Sequence, residues 1–300
     1  MTTRERVLVT GGAGFIGSRL VKALVQDNEV TVADSLSDGL FYNDVVKAAS
    51  VLVKEASRID VLPRFDVIYH LGMTSGSRKY VQDPRVALGV IEGTIAVFEK
   101  AVRDKSRVIY ASTSSIYNGL PPPHVEDQPP KVGSLYAEAR IAVERLGRLW
   151  WQEKSMGSVG LRLFCVYGEG CERKGPYANI VNRILLAARG MDDPSIYGDG
   201  SARRDFIHVD DVVRAFVLAK RLDGCHVINV GTGISTSLND LEFKASQVSN
   251  VPLHLNRIPK PSTFPQETRA DTSKAESVLG FRADIQIDDG LKRVWAAQAT

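Results

Sequence analysis

The chain has 300 residues, 44% hydrophobic and 24% charged, enough apolar content for a large core in one or two domains. Its 38 Lys and Arg against 35 Asp and Glu leave a net charge of only +3, which argues against a nucleic-acid-binding protein, and no apolar run reaches the roughly 18–20 residues that cross a bilayer. The opening MTTRERVLVTGG enters a strand at once, with no room for a signal peptide, and Cys165, Cys171 and Cys225 are too few and too unevenly spaced for a disulfide framework or a zinc site, so a cytoplasmic protein without bound metal is expected.

In chain order, Arg6–Thr10, Glu29–Asp34, Ser50–Lys54, Asp66–Leu71, Arg107–Ser112 and Gly160–Val166 read as strands. Their apolar character is continuous rather than alternating, which suits a parallel sheet covered on both faces. Helical patterns lie between them at Ser18–Gln26, Pro84–Arg103 and Ser134–Lys154. This alternation predicts an α/β doubly wound sheet with right-handed crossovers. Beyond about residue 167 the pattern loosens into Gly- and Pro-rich stretches, and His226–Val230 is a late strand that returns to the main sheet. The predicted division is a dinucleotide-binding domain over 1–166 plus about 205–231. A smaller, interleaved C-terminal lobe then takes about 167–204 and 232–300.

Thr10-Gly11-Gly12-Ala13-Gly14-Phe15-Ile16-Gly17 follows a strand and opens a helix. Gly11 permits the tight turn, Gly14 lets a pyrophosphate approach the backbone, and Gly17 lets the helix lie close to the strand. Asp34 ends the next strand, where a carboxylate accepts hydrogen bonds from the adenosine ribose and repels a 2′-phosphate. NAD is therefore expected over NADP. Further on, Tyr136 and Arg140 stand four residues apart at the start of a long helix and share one face. A cation there stabilises a phenolate, so that the tyrosine can act as a base.

With these residues the sequence resembles the extended short-chain dehydrogenase/reductases, and within them the nucleotide-sugar epimerase/dehydratase group. Motifs in the family's order cover nearly the whole chain: TGGAGFIG (10–17), DSLSDG (34–39), DVIYHLG (66–72), VIYASTSSIY (108–117), YAEAR (136–140), RLFCVYG (162–168), YGDGSARRDFIHVDD (197–211), INVGTG (228–233) and RADTSKAESVLGF (269–281). The resemblance implies a Rossmann-type domain holding NAD, with a substrate lobe for a nucleotide sugar. By position, Thr113 matches the Ser/Thr that hydrogen-bonds the sugar 4-hydroxyl, and Tyr136 the general base. Phe15, Ile16, Ser37, Leu71, Gly72, Ser112 and Phe164 match positions that line the cofactor, together with the glycines, Asp34, Tyr136 and Arg140. Arg204 matches the arginine on the substrate diphosphate, Ser195 and Tyr197 the segment around the base, and Asn179 a nearby polar contact. Relatives pair two long helices across a two-fold axis, so a homodimer through a four-helix bundle of Pro84–Arg103 and Ser134–Lys154 is expected.

Three positions depart from the family pattern. The family's lysine is Arg140, which keeps the charge but is longer and cannot lose its proton. The asparagine of the fourth helix is Val90, and a substrate-contacting asparagine is Cys165, read as a small buried core residue. Dehydratases and decarboxylases of the group place an acid after the catalytic threonine, where this chain has Ser114 and Ser115. Without that acid, the 4-keto intermediate is left to rotate and accept hydride on its other face, which is 4-epimerisation of a UDP-hexose. Thr268, three residues before Asp271, matches a position whose bulk excludes N-acetylated sugars, and its modest size leaves room for a 2-acetamido group. Two other readings stay open: a dehydratase or ketosugar reductase of the same family, or a binding protein impaired by Arg140 and Val90.

Overall fold

The computed structural model describes residues 4–37, 41–45, 47, 49–261 and 264–298. Strands in chain order are β1 (Arg6–Thr10), β2 (Glu29–Asp34), β3 (Ser50–Val53), β4 (Val67–His70), β5 (Arg107–Thr113), β6 (Ser158–Leu163), β7 (Cys165–Tyr167), β8 (Ser195–Tyr197), β9 (Arg203–Arg204), β10 (Phe206–His208), β11 (Cys225–Val230), β12 (Thr236–Ser237), β13 (Asn256–Ile258) and β14 (Glu267–Thr268). Helices are α1 (Phe15–Leu24), α2 (Tyr42–Val45), α3 (Ser77–Gln82), α4 (Val86–Asp104), α5 (Leu135–Lys154), α6 (Ile180–Ala187), α7 (Val209–Ala219), α8 (Leu238–Ser249) and α9 (Ile287–Ala297).

Seven strands form the main sheet in the order β11-β6-β5-β4-β1-β2-β3. β1 pairs in parallel with β2 on one side and β4 on the other, so strand order reverses beside β1. Ligands bind at the carboxyl ends of strands at such a switch point, because neighbouring loops diverge there. Val7, Leu8 and Val9 are fully buried, and all four residues of β4 are buried, as the continuous apolar runs required.

The chain divides into two compact units. The first comprises Met1–Ile116, Val132–Arg162 and Val213–Ile228; the second Tyr117–Lys131, Leu163–Val212 and Asn229–Thr300. The run expected as one strand at 160–166 is two: β6 ends at Leu163, and after Phe164 the chain enters β7, which pairs with β10 in a separate two-stranded sheet. Uniform apolarity gave no sign of this break. The looser C-terminal pattern also contained helices α6 to α9; buried residues of α6, α8 and α9, among them Val181, Ile184, Leu241 and Leu291, build a second core with Tyr167 of β7 and Phe206 of β10.

In the first unit α5 starts at a serine cap, Ser134 Oγ accepting from the Ala137 N–H at 3.2 Å, and ends with Ser155 in the left-handed conformation. The helix lies close to the sheet because Tyr110 of β5 fits between two glycines. A Cβ on Gly160 of β6 would sit 2.6 Å from the Tyr110 ring, and one on Gly147 of α5 would sit 3.1 Å from its hydroxyl. Trp150 packs on Phe98, ring centroids 5.9 Å apart, whereas Trp151 is exposed. Gly160→Ala overfills this layer and is expected to cost about 1–3 kcal/mol, read as a lower urea midpoint at unchanged m-value.

Candidate functional site

The loop between β1 and α1 is shaped by close backbone approach. Gly11 has φ +71°, and a Cβ there would strike the backbone of Leu71 and Gly72; one on Gly17 would collide with the Gly11 carbonyl oxygen. Gly14 differs, since a Cβ there would meet only that same oxygen, at 3.3 Å. α1 has no side-chain cap and no acidic residue in its first turn, so its N-terminal dipole is not neutralised by the protein. The Asp34 carboxylate accepts from the Ala13 N–H at 2.9 Å and from the Leu36 N–H at 2.8 Å, tying the end of β2 to the glycine loop. Each carboxylate oxygen keeps a further lone pair for a diol. Ser37 is exposed, its N–H directed to Ser35 Oγ, while Asp38 and Gly39 of the same motif lie outside the described residues.

Beside this loop His70 bridges two hydroxyls. Thr10 Oγ1 accepts from the Gly72 N–H and lies 2.7 Å from His70 Nδ1. Thr94 Oγ1 donates to the Val90 carbonyl and therefore accepts from Nε2, at 3.2 Å. Burial keeps the ring neutral, so its proton sits on Nε2, Nδ1 accepts from the Thr10 hydroxyl, and both ring nitrogens are satisfied in the core. Burial first, and the Arg140 charge second, lower its pKa to about 3.

Thr113 ends β5, buried, its hydroxyl 3.1 Å from Ser115 Oγ and accepting from the Ser115 N–H at 3.1 Å. The preceding Ser112 turns its hydroxyl to Glu144 of α5. Arg162 of β6 clasps the same carboxylate through Nε at 3.0 Å and Nη2 at 2.7 Å, with both side chains more than nine-tenths buried. Tyr136, Arg140 and Glu144 stand at successive four-residue steps on α5, so they share one stripe. Arg140 is 3% exposed; its guanidinium carbon lies 5.1 Å from the Tyr136 ring centroid, and its Nη1 is buried with no hydrogen-bond partner.

In the second unit Arg204 on β9 is buried, with Nη1 donating to the Arg203 carbonyl at 2.7 Å and its guanidinium 4.4 Å from the Phe264 ring centroid. Phe264 also meets Tyr197 at 4.8 Å. β14 pairs in register with β9, setting Thr268 beside Arg204, and the Thr268 hydroxyl is buried without a partner. Ser195 is exposed on β8. Asn179 is committed locally: it caps α6 through Oδ1 to the Val181 N–H and donates Nδ2 to the Val166 carbonyl. Phe164 is buried beside Tyr117 and His124 in a loose stack. Cys165 packs against the second core but is only partly buried, so the expectation of a core contact holds and that of full burial is corrected.

The profile of the NAD dependent epimerase/dehydratase family matches residues 7–231. The chain belongs to that family. It is 31% identical over 308 residues to a UDP-glucose 4-epimerase of Mycolicibacterium smegmatis, covering 96% of each chain. It is 28% identical over 312 residues to a UDP-N-acetyl-alpha-D-glucosaminuronate decarboxylase of Bacillus cytotoxicus, again 96% of each. Among solved structures, a UDP-N-acetylglucosamine 4-epimerase from Methanobrevibacter ruminantium M1 in complex with UDP-N-acetylmuramic acid superposes with a TM-score of 0.93 at 27% identity, covering all of both chains.

The cofactor of this epimerase/dehydratase family member is NAD, and the first unit fits it. Gly14 leaves room beside an uncapped helix N-terminus for a pyrophosphate, Asp34 offers acceptors for a ribose diol, and Arg140 Nη1 is a buried donor that the protein leaves unmatched. Sequence reasoning missed Glu144, Arg162, Tyr80 and Phe264. The first was legible as a charge on the stripe of Tyr136 and Arg140; the others are distant in sequence from what they touch. It also missed that Glu169, His208 and Asp210 converge. There His208 Nδ1 accepts from the Asp210 N–H at 3.3 Å, and Arg293 lies 3.6 Å from the Asp210 carboxylate, an arrangement suited to an ion-pair network. No described helix is long and apolar enough to cross a membrane.

Two measurements test this description. Arg162→Met strands the Glu144 charge and is expected to cost about 3–5 kcal/mol, whereas Arg162→Met with Glu144→Leu recovers most of it, read from denaturation midpoints. His70, neutral in the fold and depressed below its unfolded value of about 6.5, contributes stability that is complete above that pH and is lost as pH falls from there towards about 3. The slope is at most about 1.4 kcal/mol per pH unit, and stability curves of His70→Gln should lack it.

Proposed function

We propose that the protein is an NAD-dependent nucleotide-sugar 4-epimerase acting on UDP-hexoses, as a cytoplasmic homodimer. The observation that carries the reaction type is the turn after Thr113. Where a dehydratase or decarboxylase would hold an acid, Ser115 stands, hydrogen-bonded to Thr113. A serine hydroxyl neither protonates a leaving group nor takes a proton at neutral pH.

NAD, when bound, supplies the hydride acceptor and returns that hydride. Tyr136 takes the proton of the 4-hydroxyl and gives it back, and Thr113 shares that proton through its own hydroxyl. The Arg140 cation lies against the Tyr136 ring and supplies Nη1 as a donor to the cofactor. In the second unit Arg204 meets the diphosphate, and Tyr197 with Phe264 offers aromatic surface to the base. The unpartnered Thr268 hydroxyl suits the carbonyl of a 2-acetamido group, which favours N-acetylated hexoses among the substrates. The exposed apolar residues Leu88 on α4 and Leu135 and Leu149 on α5 support pairing through those helices.

A decarboxylase is the second reading, favoured by the Bacillus cytotoxicus relative. The test incubates the protein with catalytic NAD and UDP-glucose, UDP-N-acetylglucosamine or UDP-glucuronate, followed by chromatography with mass detection. An isomer of unchanged mass is expected, with UDP-N-acetylglucosamine among the sugars converted, and Thr113→Val should slow it at least about a hundredfold. A product lighter by carbon dioxide or water would replace epimerisation by the second reading or a dehydratase. Tight NAD binding with no sugar converted would make the protein a binding protein.

A further inference from the structure

Arg140 divides its guanidinium between two tasks. Nη2 donates to the Thr74 carbonyl at 2.9 Å and to the Met73 carbonyl at 3.4 Å, while Nη1 is buried and unmatched. The Thr74 carbonyl oxygen receives a second donor, the hydroxyl of Tyr80 on α3, at 2.8 Å. Tyr80 is 1% exposed, and burial pushes its phenol up, so it keeps the proton that it donates. Its ring meets that of Tyr136 edge-on, centroids 5.4 Å apart and planes at 71°. The Tyr136 ring thus has an aromatic edge and a guanidinium as neighbours, and both are hydrogen-bonded to one carbonyl oxygen.

A lysine could not reproduce this. Its single nitrogen would have to serve both the Thr74 carbonyl and the cofactor, whereas the rigid guanidinium fork gives one nitrogen to each. We infer that Tyr80 is a positioning residue: together with the Thr74 carbonyl it holds Arg140 and the Tyr136 ring in place, and so makes arginine, and not lysine, the working cation of this site. The inference rests on the roles proposed above for Tyr136 and Arg140. It extends them to a residue of α3.

A double-mutant cycle on the full-length protein tests it, using Tyr80→Leu, Arg140→Lys and the double variant, with Tyr80→Phe as a milder substitution. NAD affinity is measured by calorimetry without sugar, thermal midpoints are recorded alongside, and kcat and KM follow with whichever sugar the parent converts. Arg140→Lys is expected to weaken NAD about tenfold at a parent-like thermal midpoint. Tyr80→Leu should weaken it comparably, and the double variant no further, so the effects fall short of multiplying by a factor of about five or more. Tyr80→Phe keeps the ring and loses the hydroxyl, so kcat should fall at unchanged KM. Should Tyr80→Leu fail to fold, Tyr80→Phe completes the same cycle. Parent-like NAD affinity in Arg140→Lys, or effects that simply multiply, would overturn the inference. Because the NAD arm uses no sugar, a parent that converts none refutes the epimerase reading while the cycle still decides the role of Tyr80.

Discussion

Glu144 carries its carboxylate into the interior, where a bare charge costs several kcal/mol in lost hydration. That cost is tolerable only while Arg162 and Ser112 meet it with three aligned donors, and those donors come from two adjacent strands. The position of α5 over β5 and β6 is therefore set by a directional contact, one that a greasy layer would leave free to slide or rotate. Because Tyr136 and Arg140 lie on the same stripe of α5, the rotation that satisfies Glu144 also sets theirs. Because Ser112 precedes Thr113, the same carboxylate fixes the end of the strand that carries the threonine. Tyr110, lodged between Gly147 and Gly160, sets how closely helix and sheet approach.

The other half of the first unit's site is organised by backbone proximity. Gly11 and Gly17 let three chain segments approach more closely than any side chain would allow, and Thr10, His70 and Thr94 lace β1, β4 and α4 together. His70 does this when neutral, and its depressed pKa keeps the folded ring neutral down to about pH 3, so the lacing persists while its contribution to stability fades on acidification. The glycine loop and the α5 stripe are thus held by different forces, steric closeness in one and a buried ion pair in the other.

Sequence reading found the features that repeat along the chain and missed those that join distant parts of it. The glycine spacing, Asp34, and Tyr136 with Arg140 are local patterns, and the structure places each at the strand end or helix face expected. Helix limits moved by a few residues, because caps such as Ser134 decide them. The break at Phe164 was invisible, since a strand that changes partners keeps the same composition. Asn179 is a case where a local need took most of the side chain: a helix cap and a tie to Val166 use its oxygen and one N–H. Tyr80 was unreadable for the opposite reason, as nothing near SRKYVQ signals a contact with residues about sixty positions away.

Asp34 draws a consequence for anyone redesigning the cofactor preference. Its carboxylate, which offers acceptors for a ribose diol, also accepts from the Ala13 and Leu36 amides, one of them in the glycine loop itself. Trading it for a small neutral residue to admit a phosphorylated ribose would remove the electrostatic objection and, in the same stroke, strip two backbone donors of their acceptor. The loop would then depend on the incoming phosphate to complete its own hydrogen bonding. A variant of that kind would be ordered when loaded and slack when empty, so its selectivity would have to be engineered together with a replacement tether for Ala13.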